Sequence, residues 1–222
     1  MSDFDDPREQ LRIIRTLMER ATIYRAISAP TALVAGLLSL GAFATAYYAK
    51  HHLHSNLTPR QFVVVWLVVL ALTWLTNLLF LGRGAAQRGE PLFSAGMKCA
   101  LASVGPAFLL AGLLTVLIHK PIQLCIIWMV LYGLGLLATQ HFAPRSLVAL
   151  GAIFFAGGCV LMVAWKHLFL AAGQAEPSTL VVSGIMAGTF GGLHLAYAAA
   201  VWAMGGEPRW SADPKQTAAG HV

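Results

Sequence analysis

Six stretches of the chain run for about 20 apolar residues each, the length a helix needs to cross a bilayer. They lie at 29–49, 61–82, 97–118, 121–141, 145–168 and 179–203. None contains an aspartate or glutamate, and their lysines and arginines fall at or near the ends. In lipid each backbone N–H and C=O must be satisfied within its own segment, so helices are the expected element. The alternation of an outer-membrane barrel is absent. Composition points the same way, since 58% of residues are hydrophobic and 11% charged, whereas a soluble domain carries about 25% charged residues. The expected fold class is an all-α membrane protein with six transmembrane helices.

Charge sets the expected orientation. With the amino terminus inside, the inner segments hold eleven lysines and arginines, including Arg8, Arg12, Arg15, Arg83, Arg88 and Arg145. The outer ones hold four, namely Lys50, Arg60, Lys120 and Lys166. This asymmetry follows the positive-inside rule and places both termini in the cytoplasm. It also accounts for the net charge of +6, so no nucleic-acid partner is expected.

Three regions follow. Residues 1–28 carry charge throughout and lack the apolar core and cleavage site of a removed leader. Within them Leu11, Ile14, Leu17, Met18, Ala21 and Tyr24 recur at helical spacing. The expectation is an amphipathic cytoplasmic helix, lying along the inner leaflet or docked on the protein's own loops. Residues 29–204 form the six-helix domain, and 205–222 a flexible cytoplasmic tail. Neither the 83–96 connection nor the tail has room for a folded catalytic domain.

The spans show internal similarity. "PTALVAGLLS" from Pro30 parallels "PAFLLAGLLT" from Pro106, and "PRQFVVVW" from Pro59 parallels "PIQLCIIW" from Pro121. The order is the same in both halves, which suggests a duplicated two-helix hairpin. The second pair opens spans two and four with proline, a residue tolerated in a helix's first turn. Cys99, Cys125 and Cys159 fall in three different spans, form no CxxC pair, and are read as small buried packing residues.

The last span combines glycine and histidine. Gly184, Gly188, Gly192, Ala196 and Ala200 are each four apart, a stripe that lets another backbone approach closely. His194 lies off that stripe in the inner half of the span. Thr73 and Asn77 in span two, Thr139 and Gln140 in span four, and Tyr197 fall at compatible depths, so an inner-half polar cluster is expected. Interhelical hydrogen bonding is a sufficient reason for such residues. A ligand site is the alternative reading of an ionisable group inside a membrane.

Catalytic sets are missing. There is no GxSG, no serine in span four to pair with His194, and no HExxH. A haem held by two imidazoles would need a second histidine at the depth of His194, and His141 sits at the membrane edge. The remaining histidines crowd the outer connections: His51, His52 and His54 in the first, His119 in the second and His167 at the third. Three hairpins presenting imidazoles on one face form a candidate zinc or copper site, or a cluster that charges in mild acid. Adjacent lysines and the lack of fixed ligand spacing weigh against both.

The stretch "WMVLYGLGLLAT" from Trp128, together with "FGGLHLAYAAA" at 190–200 and "LMERATIYRAIS" before the first span, resembles an uncharacterised family of bacterial six-span inner-membrane proteins. That resemblance implies a glycine-rich last span with a histidine and, three residues on, a tyrosine, here His194 and Tyr197. Ala198 stands where such proteins usually have glycine. The resemblance implies a bacterial inner-membrane location and no particular activity.

Function is therefore expected to be non-enzymatic: a sensor, regulatory or assembly subunit working through helix contacts. Its partners would be the lipid bilayer and another membrane protein, or a second copy through the glycine face. A small transporter or channel with a polar site around His194 is the alternative, and the absence of a membrane-buried acid disfavours ion coupling.

Overall fold

The computed structural model describes residues 29–89, 95–141, 143–170 and 176–203. The expected amphipathic segment 1–28 and the tail 205–222 lie outside the described residues.

Every regular element among the described residues is helical. The helices are α1 (Ala29–His52), α2 (Pro59–Arg88), α3 (Ala95–Leu117), α4 (Pro121–Leu137) and α5 (Arg145–Leu170). A final continuous rod joins α6 (Thr179–Met186), a π-helical segment (Ala187–Leu193) and α7 (His194–Ala203). Five of these rods are long and apolar enough to cross a membrane. The sixth, α4, has 17 residues and is ~25 Å long, at the short limit of a spanning helix. The chain is thus an all-α protein with the helices of a membrane protein. Large apolar side chains such as Leu109, Leu113, Val116 and Val163 point outward, a surface that suits lipid and not water.

Helix starts are written into the sequence. Thr58 caps α2 by accepting the Gln61 N–H, and Gln61 in turn accepts the Thr58 N–H at 2.9 Å, so two orphan donors are satisfied at once. Pro59 and Pro121 occupy the first turns of α2 and α4, where a missing N–H costs nothing. Ser178 caps α6 by accepting the Val181 N–H.

Three of these starts meet at one end of the bundle. Thr179 Oγ1 donates to Leu57 O at 2.8 Å, joining the α1–α2 connection to α6. An ion pair between Lys120 and Glu176 joins the α3–α4 connection to the residues preceding α6. This end is called the proline end, after Pro59, Pro121 and Pro177. Toward the far end Thr31 Oγ1, in the first turn of α1, donates to Asn77 Oδ1 of α2 at 3.3 Å.

Glycines set the two closest helix pairs. On α4, a Cβ at Gly133 would lie 2.5 Å from Phe155 N and 2.7 Å from Gly151 O of α5. One at Gly158 would meet Val130 Cγ2 at 2.7 Å. On α1, a Cβ at Gly36 would sit 2.6 Å from Leu195 Cγ and 3.1 Å from Gly191 O. So α4 lies on α5, and α1 lies on the last rod. The core between them is built from Phe62, Ile122, Ile126, Met129, Phe154 and Val182.

Two sequence expectations need correction. Of the cysteines only Cys125 is buried; Cys99 is exposed and Cys159 half-buried, because α3 and the outer side of α5 face away from the core. The glycine stripe does not form one packing face. Gly184 lies against Phe43, but a Cβ at Gly188 or Gly192 would meet nothing within 4 Å, and Gly188, Ala196 and Ala200 are exposed. Gly191 makes the close approach to α1 instead. A four-residue spacing marks one face only while pairing stays α-helical, and from Ala187 to Leu193 it is π-helical.

Candidate functional site: an intramembrane cavity beside His194

Helices α2 and α3 flank a gap and do not pack closely against each other. A cavity of about 520 Å³ fills that gap, walled also by α1, α4 and the last rod. It runs from Thr31, Leu81 and Met97 near the far end to Trp66, Thr115 and Trp128 nearer the proline end. Its size lies within the range of small-molecule sites, about 300–1,000 Å³. The lining is mostly aliphatic and aromatic, and among the described residues no Asp, Glu, Lys or Arg borders it.

His194 and Tyr132 both border this cavity. His194 is 5% exposed. Its Nδ1 is 2.7 Å from Phe190 O, and its Nε2 is 2.8 Å from Tyr132 Oη. A carbonyl can only accept, so Nδ1 carries a proton and donates to Phe190 O. In the neutral imidazole Nε2 is then an acceptor, and Tyr132 O–H donates to it. The last rod makes this possible. The His194 N–H is directed to Gly191 O; regular α pairing would send it to Phe190 O. The side chain of the same residue takes the Phe190 carbonyl. Single π-helical turns inside α-helices frequently mark functional sites.

Aromatic rings hold the pair in place. Tyr132 meets Phe154 edge to face with centroids 4.8 Å apart, and Phe190 at 5.4 Å. Phe154 also meets Phe190 at 4.8 Å and His194 at 5.5 Å. On the other side Phe108 of α3 contacts Tyr132 at 6.4 Å and Trp74 of α2 at 5.8 Å. Such edge-on pairs are favourable ring geometries. The Trp74–Phe108 contact bridges the gap between α2 and α3 at one point.

The expected polar cluster is redistributed. His194, Thr73 and Asn77 border the same cavity, as does Thr139. Thr139 Oγ1 turns back to Leu136 O at 2.6 Å. Gln140 is exposed, past the end of α4, and does not border the cavity. Tyr197 is buried at 8% exposure and likewise lies off the cavity wall. The partner that His194 does have, Tyr132, is legible in the sequence as the polar-tipped aromatic within span four. Thr139 and Gln140 stand at that span's end, beyond α4.

The outer-connection histidines do not assemble. Among the described residues no three His, Cys, Asp or Glu side chains are placed to hold a metal ion. His51 packs at a tilt against Tyr47 at 4.2 Å and His52 stacks on Tyr48 at 4.6 Å, each one helical turn back. His54, His119 and His167 are exposed. The candidate zinc or copper site at these five residues therefore has no geometric support.

The chain matches no family model, no curated protein and no solved structure.

Proposed function

We propose that the chain is a non-enzymatic integral-membrane binding protein, a sensor or regulatory subunit, whose bundle takes up an apolar small molecule from the bilayer. One observation carries this reading: a cavity of about 520 Å³ between α2 and α3, lined among the described residues by no charged side chain, with the His194–Tyr132 pair on its wall. The space is half open toward the surface, so a molecule dissolved in the lipid phase can reach it. The apolar lining favours lipophilic ligands, and the loose α2–α3 seam favours entry from the lipid side.

The reading includes α4 as a sixth span, both termini in the cytoplasm, and a bacterial inner-membrane location, supported by the charge asymmetry and the sequence resemblance. It includes descent of α1–α2 and α3–α4 from one hairpin, supported by the Pro59 and Pro121 helix starts. The outward-facing Gly188, Ala196 and Ala200 support a second copy or a membrane partner docking on the last rod.

Photolabelling tests the cavity. The protein in lipid nanodiscs is irradiated with a C10 alkyl diazirine and labelled residues are mapped by mass spectrometry. Saturable labelling of Leu70, Val104 and Leu131 is expected, and Ala111→Phe, which projects a ring into the cavity, is expected to weaken it. Non-saturable labelling spread evenly over lipid-facing residues would overturn the proposal. A carrier would share this cavity; time-dependent movement of the probe across a liposome membrane, weakened in Ala111→Phe, would favour transport over sensing.

A further inference from the structure

The hydrogen-bonding groups around the cavity fall into two sets. Most hydroxyl donors on its wall are already used inside the protein. Ser39 Oγ donates to Ala35 O at 2.8 Å and Thr115 Oγ1 to Ala111 O at 2.7 Å. Thr139 Oγ1 donates to Leu136 O, and Trp128 Nε1–H donates to Thr115 Oγ1 at 2.9 Å. Tyr132 belongs to the same set, since its proton goes to His194 Nε2. What Tyr132 keeps is oxygen lone pairs, so toward a ligand it is an acceptor.

The second set lies on α2. Asn77 uses its Oδ1 to accept from Thr31, and its amide N–H groups make no hydrogen bond among the described residues. Thr73 Oγ1 makes none either. Thr73 and Asn77 are four residues apart, on one face of α2, and both border the cavity. The α2 wall therefore offers uncommitted donors, while the α4 wall offers an acceptor at Tyr132.

Among the described residues no charged side chain borders the cavity, and an unpaired ion in so apolar a site would carry a heavy desolvation cost. The occupant must be neutral. The occupant that complements both walls accepts from α2 and donates to Tyr132. An ether, ester or ketone only accepts. A hydroxyl is the smallest neutral group that does both.

From this, resting on the cavity reading above, we infer that the natural ligand is a neutral lipophile bearing a hydroxyl, an alcohol and neither an ester nor a fatty acid. The hydroxyl sits at the depth of Tyr132, and the apolar remainder lies along the α2–α3 seam past Trp74 and Phe108.

Competition against the C10 diazirine in the unaltered protein tests this directly, with decan-1-ol, decyl methyl ether and decanoate as competitors. One hydrogen bond lost in a buried site corresponds to about a tenfold difference in potency. Decan-1-ol is expected to displace the label at about tenfold lower concentration than the ether, with decanoate the weakest. Tyr132→Phe should bring alcohol and ether to equal potency. Thr73→Val should weaken both alike, because both oxygens accept, and it serves independently if the tyrosine variant does not fold. Equal potency of alcohol and ether in the unaltered protein, or strongest competition by decanoate, would overturn the hydroxyl inference while leaving the cavity reading intact. Absence of any saturable label would remove both.

Discussion

Gly133→Ala is the sharpest test of the fold. The added Cβ would lie 2.5 Å from Phe155 N, 2.7 Å from Gly151 O and 2.9 Å from Phe155 Cα. All three are backbone atoms of α5, so no side chain can rotate away. Restoring ordinary contact distances of ~3.5 Å requires α4 and α5 to separate by about 1 Å along their tightest line. Overpacking of this kind costs about 1–3 kcal/mol, and a rigid backbone neighbour places the substitution at the upper end. For a chain of this size each kcal/mol lowers the melting temperature by about 2–4 °C, so a loss of about 6–12 °C is expected. The control is Gly41→Ala on α1, where a Cβ meets nothing within 4 Å. Alanine there removes glycine's entropic handicap in a helix interior, and the melting temperature should hold or rise slightly. The assay is thermal unfolding in detergent followed by circular dichroism. If Gly133→Ala melts within about 2 °C of Gly41→Ala, a shift worth under 1 kcal/mol, the close α4–α5 approach is wrong.

Gly36→Ala should be milder than Gly133→Ala, because its nearest atoms are the tip of the Leu195 side chain, which can rotate; the same melting assay ranks the two. Tyr132→Phe leaves the buried Nε2 of His194 without its donor, so a destabilisation of about 1–3 kcal/mol is expected, and a melt unchanged from the parent would show that the hydrogen bond does not form. Glu176→Gln breaks an ion pair whose partners are 54% and 43% exposed; exposed pairs contribute at most about 1 kcal/mol, so the melting temperature should barely move, and a large drop would mean that the proline end is held by that pair. Gly188→Leu and Ala196→Leu project into open surroundings and should leave the monomer's melt intact while dissociating any dimer in analytical ultracentrifugation; a monomer destabilised by either would put that face inside the bundle.

Much of the fold was readable because membrane helices announce themselves by length and lack of charge. The spans expected at 61–82 and 121–141 start where Pro59 and Pro121 permit a helix to start. Their ends were less legible. Span four was expected to run to 141, but α4 stops at Leu137, and Thr139 and Gln140 lie in the turn beyond it. Hydropathy does not register where backbone pairing ceases. Within the chain the glycine stripe is not one packing face, for a related reason. Counting in fours presumes unbroken α pairing, and nothing in "AGTFGGL" signals that the helix changes to i→i+5 bonds there. The contact that does form, Gly36 against Gly191 and Leu195, joins helices at opposite ends of the chain. A single sequence carries no mark of that pairing.

The cavity shows the same limit from the other side. Its α2 wall was legible only at Thr73 and Asn77; in the structure Trp66, Leu70, Thr73, Trp74, Asn77 and Leu81 share that face at helical spacing. Such a face must turn inward, because lipid offers no partner for an amide or a hydroxyl. What the face turns toward depends on whether α3 closes against it. A closed seam would bury Thr73 and Asn77 against aliphatic side chains with their donors unmet, a penalty of several kcal/mol in a medium without water. An open seam leaves those donors to a guest. On the cavity reading, the loose α2–α3 boundary and the uncommitted polar groups on α2 are thus two consequences of one condition: a ligand supplies the partners that Thr73 and Asn77 lack among the described residues.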